Sequence, residues 1–470
     1  MKNPDSVSLK QAFCPKVSAP LPEADDDVMA RGRGYGLRDG LCQAVTQGAG
    51  EQYLSAFALL LQTSPFQLSI LSALPQLIGT WAQLLSVKVL RWFPNRKSLI
   101  LGGTIGQAVV WLPIVLLPWL FPQGGPWLVI AGAAGYFACN HFTTPTWNGF
   151  ITDLLDPNQR GAYFAHRARI MAVISLLTLC IGGSLLSFWQ QHEATHVGFL
   201  MLFLVAGGAR VVSAWYLSRV HDPHRQARTQ DQDGFRHFLR ERATTDFRWF
   251  MLFSGLMHVA VLIAGPFFVI YMLQDLHLSY WEYGGWLAAG ILGQFLTLTG
   301  WGHFGDRYGN KALLTVTGFT VPFLPMGYLF STNWAFLATL NFLGGVTWAG
   351  LSLGLQNYVF DTVRSEDRTK AVALSNTVNA LGWSLGALVG SWLIHVLPGD
   401  IHFGTVTFDA GSKLPLAFFL SGCLRLLVSV SLLGTFREVR IVEHIPQHRL
   451  MWELPLLRSI AQFGVWKTDR

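Results

Sequence analysis

The chain has 470 residues, of which 51% are hydrophobic and only 13% charged, whereas roughly a quarter of the residues of a soluble domain are charged. This composition excludes an ordinary soluble enzyme and points to lipid as the solvent. The formal net charge of +7 does not call for nucleic acid as a partner, because the basic residues are sorted along the chain as described below.

A helix that crosses about 30 Å of hydrocarbon needs about 20 mainly apolar residues, and such stretches recur along nearly the whole sequence. Residues 1–38 mix Lys2, Lys10 and Lys16 with Glu23 and Asp25 to Asp27 and contain no apolar run of the signal-peptide kind. They read as a cytoplasmic extension. Spans are expected near 39–62, 67–90, 98–120, 126–149, 167–189 and 197–218, then near 247–273, 280–303, 311–331, 333–358, 370–396 and 414–436. The expected organisation is an N-terminal six-helix bundle over 39–218, a cytoplasmic linker over 219–246, a C-terminal six-helix bundle over 247–437 and a cytoplasmic tail over 438–470. The fold class is an all-α membrane protein of twelve transmembrane helices in two pseudo-symmetric bundles.

On this layout one set of loops holds Lys88, Arg91, Arg96, Lys97, Arg160, Arg167, the run from Arg219 to Arg248, Arg307, Arg364 and Arg368, and the other set holds Lys413 alone. Basic residues stay on the cytoplasmic side during insertion. A multi-pass protein of the cell membrane, the inner membrane in a bacterium, with both termini cytoplasmic is the expectation. The five cysteines are scattered and suggest neither a disulfide framework nor a metal cluster.

A shift of 215 residues aligns Ala49-Gly50 with Ala264-Gly265, Ser64 with Ser279, Asn95 with Asn310 and Arg210 with Arg425. A shift of 208 aligns Asp153 and Arg160 with Asp361 and Arg368. The chain therefore reads as a duplicated six-helix unit. Transporters are commonly built from such repeats, with the site where the halves meet near the bilayer midplane.

Within the first span Gln43, Gln47 and Glu51 fall on one helix face. A charged side chain at the membrane centre costs about 2.5–3.5 kcal/mol on insertion scales and usually faces a cavity or a partner, which makes Glu51 the candidate proton-coupling group. The fourth span is unusually polar, with Asn140, His141, Thr143, Thr144, Thr146 and Asn148 around Pro145. Gln43, Gln47, Asn140, His141 and, from the seventh span, His258 are the expected lining of a substrate cavity. Arg210 and Arg425 read as structural, snorkelling residues. Gly382, Gly386 and Gly390 form a ridge for close helix packing.

Two motifs remain. His192-Glu193-Ala194-Thr195-His196 fits the zinc-hydrolase pattern H-E-x-x-H but falls in a short loop with no evident third ligand, so an intramembrane zinc hydrolase or a receptor is only the alternative reading. Gly302-His303-Phe304-Gly305-Asp306-Arg307-Tyr308-Gly309-Asn310-Lys311 resembles the loop signature of the major facilitator superfamily, G-x-x-x-D-[RK]-x-G-x-[RK]. Its first-half counterpart carries Arg91 and Pro94 in place of the acid and the second glycine. The Asp153/Arg160 and Asp361/Arg368 pairs resemble the acid-x6-Arg pairs of the same superfamily. The resemblance implies a secondary transporter, not an enzyme: a monomer surrounded by lipid that moves a small molecule by alternating access, coupled to protons and without a cofactor. It further implies a cytoplasmic gate of Asp306, Arg307, Asp153, Arg160, Asp361 and Arg368. The pattern of a Gly-Pro pair in the fifth span, typical of many proton-drug antiporters, is replaced here by Cys180-Ile181-Gly182-Gly183, so the direction of transport stays open.

Overall fold

A computed structural model of the chain describes residues 26–89, 92, 95–121, 124–155, 160–220, 243–364, 367–397, 400–403, 406–409, 412–440 and 442. Among the described residues the backbone forms twelve helical units. In the first half these are α1 (Asp26–Ala49), α2 (Pro65–Val89), α3 (Arg96–Leu120), α4 (Gly125–Thr152), α5 (Arg160–Gln191) and α6 (Thr195–Ser218). In the second they are α7 (Thr245–Leu262), α8 (Tyr280–Tyr308), α9 (Asn310–Thr320), α10 (Trp334–Thr362), α11 (Arg368–Val396) and α12 (Leu414–Leu432). A two-stranded antiparallel ribbon, β1 (Asp400–Phe403) and β2 (Val406–Asp409), joins α11 to α12. Most of the linker expected at 219–246 and most of the tail lie outside the described residues.

Helices are the form that lets a chain satisfy every backbone polar group inside lipid, and the helix ends carry local signals. Ser279 and Glu282 form a capping box at the start of α8, with the two side chains accepting from each other's backbone N–H. Asn333 Oδ1 accepts from Ala335 N at 2.9 Å to start α10. Gly309, at φ +90°, lets α8 turn directly into α9. Seven of the helices are on their own long and apolar enough to cross a membrane, Thr195–Ser218 and Leu414–Leu432 among them. The outer surface is studded with exposed Trp81, Ile181, Trp392 and Val430, the surface that a lipid environment requires.

The first helix starts at Asp26, thirteen residues ahead of the span expected at 39. Its early turns have a reason to be ordered, since Met29 and Tyr35 pack on the cluster of Phe150, Ile151, Leu154 and Leu217. Asp39 is thereby carried well inside the helix.

The helix containing Glu51 is broken. α1 ends at Ala49, Gly50 takes φ −106° and ψ −72°, one 3-10 turn spans Glu51–Tyr53, and an α-helix resumes at Leu54–Leu60. A Cβ on Gly50 would lie 2.5 Å from Trp111 Cη2, so only glycine fits the bend. In the second half α7 stops at Leu262 and a 3-10 turn spans Gly265–Phe267. The Ala-Gly pair repeated at a spacing of 215 thus marks the same backbone break in both halves.

The halves meet along two seams, α5 with α8 and α2 with α11. At the first, Tyr280 N donates to Gln190 Oε1 at 3.4 Å and Trp281 N to Ser187 Oγ at 2.8 Å. Gly183 and Gly284 sit back to back there: a Cβ on Gly284 would stand 3.4 Å from the Gly183 Cα and 2.9 Å from Tyr53 Oη. Tyr53 donates to Leu179 O at 2.7 Å. At the second, Ser384 Oγ donates to Ala73 O at 3.3 Å. These contacts of the first seam lie at the end of the bundle away from the start of α1. The largest apolar cluster also crosses between the halves, joining Tyr53, Leu186 and Phe199 to Phe267, Tyr280 and Tyr283.

Candidate functional site

A cavity of about 590 Å³ lies between the halves, lined by Glu51, Gln52, Ser55, Ser72 and Gln76 from the first and by Val261, Gly265, Pro266, Trp348 and Trp383 from the second. Such a volume suits a small organic solute. Both helix breaks contribute to its wall, so each half presents irregular backbone where a cavity can solvate it. Glu51 is the acid of this wall. The buried Tyr136 of α4 donates its hydroxyl hydrogen to Glu51 Oε1 at 2.5 Å, and the Tyr136 ring packs 5.0 Å from that of Trp111. The carboxyl group is thus held from one side by protein and open to the cavity on the other. Trp348 and Trp383 supply broad apolar faces.

A second, polar cavity of about 170 Å³ lies inside the first half, lined by Asp39, Gln43, Thr104, Asn140, Thr143, Asn148, Arg167 and Arg210 among others. Here the long reach of α1 matters. Asp39, 1% exposed, accepts from Arg167 Nη2 at 3.2 Å and from Ser213 Oγ at 2.6 Å. Arg210 Nη1 stands 3.9 Å from the same carboxylate. Arg210 Nε and Nη2 donate to Gln107 Oε1 at 3.0 and 2.6 Å. Arg167 also donates to Gly36 O at 3.3 Å and lies 4.2 Å over the Trp147 ring. The ionic contacts thus tie α1, α5 and α6 together, and the hydrogen bonds of Arg210 to Gln107 add α3.

The sequence-derived candidates distribute as follows. Gln43 and Asn140 line the polar cavity, Glu51 lines the central one, and Gln47 is half-buried one turn from each along the chain. His141 rests against α2, where a Cβ on Gly79 would come within 2.7 Å of its ring. His258 is buried, with Nδ1 2.8 Å from Ser254 O, and adjoins Trp348 and Trp383 rather than lining the cavity itself.

The gate candidates fall into two groups. Asp153 is paired with Arg96 at 2.7 Å, whereas Arg160 Nε points to Leu155 O at 3.4 Å. In the second half Asn310 Nδ2 donates to Asp361 Oδ2 at 2.6 Å, and Arg368 is exposed. The repeated acid at the end of α4 or α10 thus meets the start of α3 or α9, the helix before its own, whereas the acid-x6-Arg spacing points to the start of the helix after it. Asp306 stands 3.9 Å from Arg440 and Arg307 lies 5.1 Å over the Tyr308 ring. Next to them Glu438 accepts from Lys311 N at 2.8 Å, and Lys311 Nζ donates to Leu433 O. The motif loop is therefore fastened to the segment after α12 in its own half.

Sequence reasoning missed Asp39, whose burial depends on where α1 begins, and treated Arg167 as a loop cation. Tyr136, Gln107, Trp348 and Trp383 went unmarked because apolar spans contain many such residues. The repeat of Arg210 at Arg425 was the available signal, since an intramembrane arginine calls for a partner. The zinc motif is split by structure: α5 ends at Gln191 and α6 starts at Thr195, with Glu193 at φ 55°. His192 and His196 therefore lack the common helix that would set two histidines one turn apart.

Two pseudo-symmetric six-helix bundles with a cavity at their interface, reached by a broken helix from each, define a membrane transport protein. Comparison with known proteins agrees. The chain matches the Major Facilitator Superfamily profile over residues 41–268 and 250–459, and it belongs to that superfamily. A gallate transporter of Pseudomonas putida is 28% identical over 169 residues, 36% of this chain and 35% of that protein. A probable peptide/nitrate transporter of Arabidopsis thaliana is 25% identical over 132 residues, 27% of each chain. The matched segments thus span about a quarter to a third of these relatives. Among solved structures, the nucleoside transporter NupG superposes with a TM-score of 0.64 at 11% identity, covering 87% of this chain and 99% of that one. A bacterial homologue of the iron transporter ferroportin in its inward-facing state gives 0.65 at 16% identity, covering 86% and 98%. These likenesses establish the fold.

Proposed function

We propose that this secondary transporter carries a small solute through the central cavity by alternating access, and that Glu51 binds the proton coupled to each cycle. The observation that carries the reading is the place of Glu51: an acid at a helix break, on the wall between two halves that must move against each other. A charged carboxylate in an apolar surround is costly while a protonated one is not. Binding a proton therefore changes which arrangement of the halves is favoured. Tyr136 holds the carboxyl group at the cavity edge, and the α5/α8 seam is the contact that parts when access switches. Asp306, Arg307, Asp153, Arg160, Asp361 and Arg368 belong to the opposite end, taken here as cytoplasmic with both chain termini, in a monomer embedded in the cell membrane.

Glu51→Gln mimics the protonated acid. In liposomes it is expected to abolish solute accumulation driven by a pH gradient while preserving exchange between compartments of equal pH. Undiminished gradient-driven accumulation would remove Glu51 from the coupling step.

A further inference from the structure

Arg210 is buried, 3% exposed, and its short partner is uncharged. Two of its nitrogens donate to the amide oxygen of Gln107 at 3.0 and 2.6 Å, while the carboxylate of Asp39 is 3.9 Å away. That carboxylate is already engaged by Arg167 and by Ser213. One acid is therefore shared by two guanidinium groups, and both of them line the polar cavity with Gln43, Asn140 and Thr143. Amide and hydroxyl groups orient toward a cation without neutralising it, and a buried charge left unbalanced is strongly unfavourable. The Nε2 of Gln107, fully buried, makes no hydrogen bond within the protein, so beside Arg210 an N–H donor is left without an acceptor.

Glu51, the coupling acid of the reading above, lines the neighbouring central cavity within electrostatic reach of Arg210. With Glu51 ionised, Asp39 and Glu51 balance Arg167 and Arg210. With Glu51 protonated, one positive charge is in surplus, and it sits on guanidinium forks whose geometry suits carboxylates and other oxyanions. The other ionisable groups on the elements packed around Glu51 include Tyr53 beside it, Tyr136, Cys139 and His141 of α4, Cys180 of α5, His258 of α7 and Tyr283 of α8; the carboxylates of α7 and α8, Asp246, Glu282 and Asp306, stand in the first or last turns of those helices. Resting on that reading, we infer that the solute carried through the central cavity is a small oxyanion or carboxylate that is held on its way in the polar cavity against Arg167 and Arg210, and that its arrival there draws a proton onto Glu51. Anion and proton then cross together, and the charge of the first half is restored at each step.

The test uses the full chain in lipid nanodiscs and a probe set of acetate, benzoate, nitrate and phosphate, with benzamide and tetraethylammonium as uncharged and cationic counterparts. Binding is followed by thermal shift and by calorimetry in buffers of different ionisation enthalpy. An anion is expected to bind with uptake of about one proton. Glu51→Gln should bind it without proton uptake, and Arg167→Gln should weaken it at least about tenfold, a change near 1.4 kcal/mol. Asp39→Asn keeps both guanidinium groups and removes the competing acid, so a folded protein should bind the anion more tightly. Binding by the neutral or cationic probes only, binding by none, anion binding indifferent to Arg167→Gln and Asp39→Asn, or anion binding without proton uptake would each overturn the inference. Gradient-driven accumulation of a neutral or cationic solute would leave the transport reading standing and remove the anion. Anion binding without accumulation would do the reverse.

Discussion

Replacing Gly183 by leucine tests whether the α5/α8 seam is the closure of one end of the cavity. A Cβ at this position would lie 3.0 Å from the carbonyl oxygen of Tyr280 and 3.0 Å from Tyr53 Oη. Neither neighbour can yield: the first is backbone at the start of α8, and the second is fixed by its 2.7 Å hydrogen bond to Leu179 O. Leucine places three more carbons beyond that point, and overpacking of this kind costs about 1–3 kcal/mol. The helix-propensity gain of leucine over glycine, about 1 kcal/mol, applies whether the seam is open or shut and cancels. The open form should therefore gain about 5- to 150-fold in population. The assay places a cysteine at Ser55, on the cavity wall, in a chain whose native cysteines are serine, and measures labelling by an impermeant thiol reagent added on the side of the 191–195 loop. Labelling should accelerate by that factor. Gly208→Leu is the control, since nothing lies within 4 Å of a Cβ there. Equal labelling of the two folded variants would refute the reasoning.

Two further outcomes follow from the geometry. Trp383→Ala removes an apolar face of the central cavity and is expected to raise the half-saturation concentration of the transported solute about tenfold, with Trp392→Ala on the outer surface leaving it unchanged; tracer uptake reads both. Asp153→Asn weakens the 2.7 Å contact with Arg96, each partner being less than a fifth exposed, and should lower stability by about 1–2 kcal/mol, visible as an earlier thermal transition, whereas Arg368→Gln at an exposed position should shift it little.

The bundle count, the duplication and the meeting of the halves at a cavity were legible in the sequence because each rests on a repeating pattern: apolar runs of span length, and residue pairs at one spacing. Glu51 was legible for a related reason, since a carboxylate in an apolar run stands out. The contacts of the buried charged side chains were not. Asp39 and Arg167 are 128 positions apart in the sequence and Arg210 and Gln107 are 103 apart, and no local signal ties residues at such separations. The same limit explains Asp153, whose partner comes from the start of α3 rather than from Arg160 seven residues on. The Ala-Gly repeat was visible, but that it breaks a helix depends on Trp111 pressing on Gly50 from another element. His258 could be placed in the membrane from sequence, yet which residues stood between it and the cavity depended on how Trp348 and Trp383 turn.

The α5/α8 seam is made of glycine backbone, tyrosine rings and neutral hydrogen-bonding groups. Among the described residues its separation brings no ion pair into water, and counter-ions, which screen exposed charges over about 8–10 Å at ordinary salt, have little to act on there. The pace at which that end opens should therefore be set by temperature and packing and stay nearly constant as ionic strength is varied.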